Sequence, residues 1–237
     1  MLVKYRSPWL AVALAIAFPS LAAWVYFVVL SGAEAVSLVY SAAKVVQFSF
    51  PLVWMFAVER RRPRLALPEA RSLAWGAALG LAIVAAALAL YFGVLRDSPW
   101  LAAAPQGIAA KLVDIGLTTP LRFWAFAAFV CLAHSLMEEY YWRWFVFGQL
   151  RRVASVRLAI AVSSLGFMAH HVIILDQFLD SPVAIAFFSM CVAIGGALWA
   201  WMYDRVGSLY GPWLSHLLVD AVLMVIGYDL VRNTAGW

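Results

Sequence analysis

A run of ionisable side chains interrupts an apolar stretch in the second half of the chain. His134, Glu138, Glu139 and Arg143 lie close together in it, flanked by long runs of apolar residues. On an α-helix, Glu139 and Arg143 share a face at positions i and i+4 and can form an ion pair. Glu138 points about 100° away from Glu139, lacks that partner and has His134 one turn before it. We therefore predict proton chemistry at Glu138 and supporting roles for the other three residues. The alternative is that both glutamates only hold helices together.

Two adjacent histidines, His170 and His171, lie in the next apolar stretch. Phe167 lies one helical turn before His171, so its ring can pack against that imidazole and orient it. A single histidine within a membrane helix often forms only an interhelical hydrogen bond. Of two adjacent histidines, we expect one to point into a site. We predict the catalytic role for His171 and a supporting role for His170, with the exchange of these roles as the alternative.

A third polar pair, His216 and Asp220, lies in the last apolar stretch. The spacing of i and i+4 allows a hydrogen bond on one helix face, which would fix the tautomer of the imidazole. The alternative is a self-contained polar pair that stabilises the helix bundle.

The three polar segments are predicted to lie at one depth in the membrane. With a rise of about 1.5 Å per residue, Glu138 lies roughly 18 Å, His171 roughly 20 Å and His216 roughly 14 Å from the same side. Helix tilt changes each distance by several ångströms, so the three agree. Charged residues inside membrane spans are costly and usually functional. We therefore interpret the three segments as one site.

The chemistry predicted for this site is activation of water. A carboxylate beside imidazoles can act as a general base, and no serine or cysteine is common to the same layer. His216, held by Asp220, could donate a hydrogen bond to a developing oxyanion. Histidine and carboxylate side chains also bind zinc, but the sequence has no His-Glu-x-x-His motif. We predict that no metal or other cofactor is needed, with zinc as the alternative.

The elements that must position these residues are membrane-spanning helices. Hydrophobic residues make up 66% of the 237 residues and charged residues 12%, about half the charged share of a soluble domain. We predict an all-α, polytopic transmembrane bundle in a single integral membrane domain over 1–237. A short additional interfacial helix is expected between Arg96 and Thr119. Seven apolar stretches are long enough to cross a membrane, at 8–30, 36–58, 73–95, 121–150, 156–175, 182–203 and 207–230.

The distribution of charge predicts the orientation of the chain. Lys4 and Arg6, the arginine-rich residues 59–64, and the arginines after the fourth and sixth stretches share one side by parity. The positive-inside rule places that side in the cytoplasm and the C-terminus outside. We predict a multi-pass protein of the cell inner (plasma) membrane, with an uncleaved first helix despite the cleavage-like residues 33–35. Because the basic residues lie in short gaps, a nucleic-acid partner is not expected.

The three motifs together resemble a known family. Glu138-Glu139-x-x-x-Arg143, Phe167-x-x-x-His171 and His216-x-x-x-Asp220 are similar to the three motifs of the CPBP (CAAX protease and bacteriocin-processing, or Abi) family. The resemblance covers roughly 121–230, which it marks as the catalytic core. The His170-His171 pair is also similar to the myxosortase-type bacterial subgroup.

The resemblance implies a glutamate-dependent intramembrane endopeptidase that cleaves near the C-terminus of a membrane-anchored protein. Glu138 and His171 would activate water, His216 with Asp220 would stabilise the oxyanion, and Glu139 with Arg143 would give structural support. Many family members have asparagine where this chain has Asp220, and an ionised aspartate cannot donate a hydrogen bond. The alternatives are a non-enzymatic immunity or scaffold protein of the membrane and a proton-coupled transporter.

Overall fold

Helices account for nearly all of the regular structure. The computed structural model describes residues 3–30, 36–63 and 66–237, and no β-strand occurs in these ranges. Within these described ranges, seven helices are long and apolar enough to cross a membrane, which confirms the predicted all-α polytopic bundle. We number the helices α1 (Val3–Trp24), α2 (Val36–Val53), α3 (Ala70–Leu90), α4 (Ala104–Asp114), α5 (Pro120–Leu150), α6 (Val156–Asp176), α7 (Pro182–Val206) and α8 (Tyr210–Val231).

Several helices contain π-helical turns. Such turns extend the first three helices at Val25–Val29, Trp54–Val58 and Tyr91–Leu95. Two more lie within α5, at Val130–His134 and Tyr140–Phe147, on either side of the turn that carries the two glutamates. π-Helical turns inside α-helices are frequent at functional sites. The predicted short helix between Arg96 and Thr119 is present as α4.

The exposed surface of the bundle is largely apolar. Within each span, only 17–33% of the most hydrophobic window is buried inside the protein. Large side chains such as Leu38, Leu81 and Leu121 are more than half exposed. Water would disfavour such a surface, whereas lipid solvates it. The protein is therefore a multi-pass membrane protein.

Helices α3 and α8 approach each other closely through glycine. Gly76 and Gly80 of α3 form a G-x-x-x-G pair, a pattern that allows membrane helices to pack backbone against backbone. A Cβ atom added at Gly76 would overlap the backbone of Gly211 in α8, and one at Gly80 would meet Ser215 and Leu218. This contact fixes the position of α8, which carries the third motif.

Local capping explains where α5, α6 and α7 begin and where α7 ends. Thr119 accepts a hydrogen bond from the Arg122 amide at the start of α5, where Pro120 occupies the first helical position. Ser155 and Ser181 cap α6 and α7 in the same manner. Gly207, with φ of 73°, ends α7 in the left-handed conformation that glycine adopts without strain.

Some predicted boundaries differ from the observed ones. Helix α7 extends to Val206 rather than to residue 203, so Arg205 lies in its last turn and not in a gap. Helix α3 begins at Ala70 rather than at 73. The sequence features at 33–35 and at Arg64 lie outside the described residues.

Ion pairs tie helix ends together at one side of the bundle. Glu59, after α2, pairs with Arg152, after α5, at 2.5 Å and also accepts a hydrogen bond from Gln149 at 2.7 Å. Arg151 pairs with Asp204 of α7 at 2.9 Å. These contacts join the ends of α2, α5 and α7, which the parity of the spans had assigned to the same side.

Candidate active site

Glu138 of α5 lies between two imidazole rings. One carboxylate oxygen lies 3.8 Å from His170 Nε2 in α6, and the other lies 3.7 Å from His216 Nε2 in α8. The residue is only 4% exposed. Burying a carboxylate is costly unless polar or charged groups surround it, and here both neighbours come from other helices. The structure therefore brings residues of all three sequence motifs together at Glu138.

Glu139 connects the first motif to the third. Its Oε1 atom pairs with Arg143 Nη1 at 3.0 Å, as the helical spacing predicts, and accepts a hydrogen bond from His216 Nδ1 at 2.8 Å. The side chain is completely buried. The pair thus does more than stabilise α5, because it also orients the imidazole of α8.

Arg143 is surrounded by aromatic rings and by α7. Its guanidinium carbon lies 4.6 Å from the centre of the Phe167 ring and 5.0 Å from the centre of the Trp199 ring. A Cβ atom added at Gly196 would lie 3.4 Å from Arg143 Nη2 and 3.2 Å from Phe167. Gly196 therefore allows α7 to approach the buried cation closely, and α7 forms one wall of the site.

The adjacent histidines of α6 have different environments. His170 stacks on the Trp142 ring at an interplanar angle of 2° and is the one closest to Glu138. His171 is in edge-to-face contact with Phe167 at 4.6 Å, as predicted, and its Nδ1 lies 2.8 Å from the Phe167 carbonyl oxygen. Because a carbonyl can only accept, His171 Nδ1 carries the proton and its Nε2 has a lone pair. Both rings remain candidates, since their centres are 4.2 Å apart.

The imidazole of His216 is held from two sides. Glu139 accepts the hydrogen bond from Nδ1, while Asp220 lies 3.6 Å from Nε2, beyond hydrogen-bond distance. The ring also stacks on Trp199 with centres 4.2 Å apart. The sequence had suggested Asp220 as the residue that fixes the tautomer; in the structure, Glu139 makes that contact. Nε2 of His216 consequently faces both Glu138 and Asp220.

His134, one turn before Glu138, packs edge to face against Phe48 of α2 at 5.9 Å. Its Nε2 is buried and has no hydrogen-bond partner among the described residues. This position is consistent with the predicted supporting role, which stays a prediction.

Three residues near the site were given no role in the site predicted from the sequence. Trp142 and Trp199 provide flat surfaces for His170 and His216. Aromatic residues are common throughout this chain, so residue type alone does not mark Trp142 or Trp199 as part of a site. Lys44 of α2 is different, because a lysine within an apolar span is itself a signal of function.

The metal alternative depends on the arrangement of side chains that could act as ligands. Within the part of the chain that the structure describes, no group of three or more His, Cys, Asp or Glu side chains converges in a way that could hold a metal ion. Metal independence nevertheless stays a prediction.

The comparisons with known proteins concern the second half of the chain. Residues 120–222 match the protein-family model described as type II CAAX prenyl endopeptidase Rce1-like. The matched segment contains α5, α6 and α7 and reaches into α8 beyond Asp220, so it includes all three motifs. Neither the curated proteins nor the solved structures gave a match. Residues 120–222 are therefore similar to the CAAX-protease family that the motifs resemble, and this match supports an intramembrane peptidase of the CAAX type.

Proposed function

We propose that this protein is a glutamate-dependent intramembrane endopeptidase that cleaves a membrane-anchored protein near its C-terminus. The observation that carries the proposal is the position of Glu138, buried between the Nε2 atoms of His170 and His216 in the segment that matches the family. A water molecule bound to this carboxylate would be within reach of both imidazoles. Distances of this kind often shorten when the substrate binds.

In the proposed reaction, Glu138 accepts a proton from water as the water oxygen attacks the carbonyl carbon of the scissile peptide bond. His171 assists, because the hydrogen bond from its Nδ1 to the Phe167 carbonyl leaves the Nε2 lone pair available to the same water. The tetrahedral intermediate then loses the amine when its C–N bond breaks. Glu138 returns the proton to that leaving amine, and the other product has a new carboxylate.

His216 is the proposed donor to the oxyanion. Its Nδ1–H is held by Glu139, so the ring presents Nε2 to the site. With a second proton on Nε2, the imidazole can donate to the negative oxygen of the intermediate, and this interaction is strong where water is excluded. Asp220 supports that protonated form by charge from 3.6 Å. Arg143 holds Glu139 in place and is a positioning residue.

The reaction as proposed needs no cofactor. General-base and oxyanion roles are filled by side chains of the chain itself, and the alternative remains a zinc ion that binds the same histidines and carboxylates. A chelator separates the two mechanisms, because hydrolysis by Glu138 alone is insensitive to removal of metal.

We further propose the inner (plasma) membrane as the location, with a cytoplasmic N-terminus. Arg60, Arg61 and Arg62 follow α2, and Arg152 and Arg205 lie at the same end of the bundle, which supports this orientation. The catalytic core is proposed over 121–230, within a single domain over 1–237. The myxosortase-type subgroup also stays a prediction.

The test is coexpression with candidate membrane-anchored substrates. We compare the wild type, Glu138→Gln and the control Glu69→Gln, which changes an exposed carboxylate outside the spans. Each is assayed with and without a chelator. We expect cleavage by the wild type and the control in both conditions and no cleavage by Glu138→Gln at equal expression. Normal cleavage by Glu138→Gln would refute the assignment of the base, and loss of wild-type cleavage with chelator would favour zinc.

A further inference from the structure

Lys44 is a cation at the depth of the catalytic layer. It lies within the span Leu38–Val58, about 21 Å from Val58 at ~1.5 Å per residue. Glu138 lies about 18 Å from Leu150, at the same side of the bundle. A lysine at this depth is costly to insert and is rarely without function.

The contacts of Lys44 are polar or aromatic but include no counter-charge. Its ammonium nitrogen lies 3.4 Å from Gln47 Oε1 and 5.6 and 5.5 Å from the centres of the Tyr40 and Phe48 rings. It forms no ion pair with any residue that the structure describes. The ammonium and Glu138 are within electrostatic range, but the Glu138 carboxylate faces His170 and His216. The positive charge is therefore available to another anion.

Lys44 is also joined to the catalytic site by a short series of contacts. The Phe48 ring under its ammonium packs against His134 at 5.9 Å, and His134 lies one turn before Glu138 on α5. An anion bound at Lys44 would therefore lie on the α2 side of the catalytic site.

An apolar groove lies between α1 and α2, and Tyr40, whose ring lies 5.6 Å from the Lys44 ammonium, is one of its lining residues. Its volume is about 190 Å³, and it opens toward the lipid-facing side, where Leu21 is 58% exposed. Tyr40 and Ala43, the latter adjacent to Lys44 in the sequence, form its wall on α2. The groove can hold apolar side chains of a peptide that enters from the bilayer.

We propose that Lys44 binds the C-terminal carboxylate of the substrate, with the apolar residues before that carboxylate in the α1–α2 groove. The inference rests on the proposed function, in which the scissile bond is near the substrate C-terminus. An extended chain covers about 3.3–3.6 Å per residue, so a substrate cleaved a few residues before its C-terminus could place that terminus at Lys44 while its scissile bond lies at Glu138. A charge-assisted hydrogen bond in an apolar environment is strong, and it would compensate for burying the carboxylate.

This arrangement makes the free C-terminus a determinant of specificity. A substrate with a terminal carboxylate would bind with its scissile bond at Glu138. The same peptide with a terminal amide would lose the interaction with the ammonium and leave Lys44 without a counter-charge. We expect the difference to appear mainly in KM, because Lys44 contacts a part of the substrate that does not react.

The test uses purified protein in nanodiscs and a synthetic peptide with one apolar span, made with either a C-terminal carboxylate or a C-terminal amide. We measure kcat and KM for the wild type, Lys44→Met, Lys44→Arg and Arg157→Met, a control that removes an exposed cation outside the site. The wild type and the control should prefer the acid over the amide at least tenfold in kcat/KM. In Lys44→Met, kcat/KM for the acid should fall to about the value for the amide, so that the preference is lost, and Lys44→Arg should retain most of the preference.

A binding measurement separates this inference from the proposed function. Glu138→Gln, which cannot cleave under the proposed mechanism, should bind the acid at least tenfold more tightly than the amide, and adding Lys44→Met should abolish the difference. Equal preference in wild type and Lys44→Met, or no preference in the wild type, would overturn the role of Lys44. Preferential binding without any wild-type cleavage would retain Lys44 as a carboxylate site but refute the proposed peptidase.

Discussion

Substituting Arg143 by methionine should destabilise the protein strongly, because it leaves a buried carboxylate without its cation. Arg143 is 2% exposed and Glu139 is completely buried, with 3.0 Å between their charged atoms. Removing one partner of a buried ion pair typically costs about 3–5 kcal/mol, mostly from the charge left behind. Arg143→Met also removes the cation from the rings of Phe167 and Trp199, so we expect the upper part of this range.

The double variant Glu139→Gln/Arg143→Met tests the cause of that loss. Without the glutamate charge, no unpaired ion remains, and we expect recovery of more than half of the lost free energy of unfolding. Activity should not recover, because a glutamine amide can accept the hydrogen bond from His216 Nδ1 but lacks the negative charge that favours the protonated imidazole.

The assay is reversible unfolding in mixed micelles, with Arg151→Met as the matched control. Arg151 pairs with Asp204 at 2.9 Å, but the two side chains are 39% and 24% exposed. An exposed pair contributes no more than about 1 kcal/mol. The reasoning would be refuted if Arg143→Met cost as little as Arg151→Met, or if the double variant were as unstable as Arg143→Met alone.

Three further predictions concern packing, catalysis and orientation. Gly76→Leu should separate α3 from α8, lower the melting temperature and abolish activity. Gly93→Leu places a side chain in open space and should leave the melting temperature and activity near those of the wild type. Equal melting temperatures for the two variants would contradict the observed packing of α3 against α8. His171→Gln should lower kcat by about 10²–10⁴, the usual contribution of general acid–base catalysis, and His170→Gln should lower it less. The reverse order, in steady-state kinetics, would transfer the water-activating role to His170. A cysteine in place of Arg61 should be labelled only from the cytoplasmic side and a reporter at the C-terminus only from outside; the opposite result would invert the proposed topology.

The sequence predicted the parts of the fold that depend on local composition. Seven apolar runs are long enough to cross the membrane. Lipid offers no hydrogen-bond partners to the backbone, so each run must form a helix that satisfies its own N–H and C=O groups. The Glu139–Arg143 pair followed from spacing on one helix. The predicted end of α7 was three residues too early. The charged residues Asp204 and Arg205 end the apolar run, whereas the helix itself continues to Val206 and ends at Gly207.

Contacts between helices could not be predicted with the same precision. Adjacent residues on a helix differ by about 100° in direction, so the choice between His170 and His171 depends on the rotation of α6 about its axis. The bond between Glu139 and His216 depends likewise on how α8 packs against α5. Trp199 and Gly196 of α7 are ordinary residues for a membrane helix, and only the packing of α7 reveals their contacts with Arg143 and His216.

Lys44 was missed for a different reason. A single lysine changes the mean hydropathy of a long apolar span only slightly, so Leu38–Val58 has the composition of an ordinary membrane helix despite Lys44. Its depth, compared with that of Glu138, was available from the sequence. The sequence could not show that Lys44 has no counter-ion among the described residues, because ion pairs between helices are recognised only when the packing of the helices is known.

The most direct test of the central claim is the single-turnover rate of peptide hydrolysis by purified protein in nanodiscs after treatment with a chelator. We predict that Glu138→Gln, at wild-type thermal stability, hydrolyses the peptide at least about 10²-fold more slowly than the wild type, while Glu69→Gln is unchanged. A Glu138→Gln rate within a few-fold of the wild-type rate would contradict the assignment of Glu138 as the base that activates water.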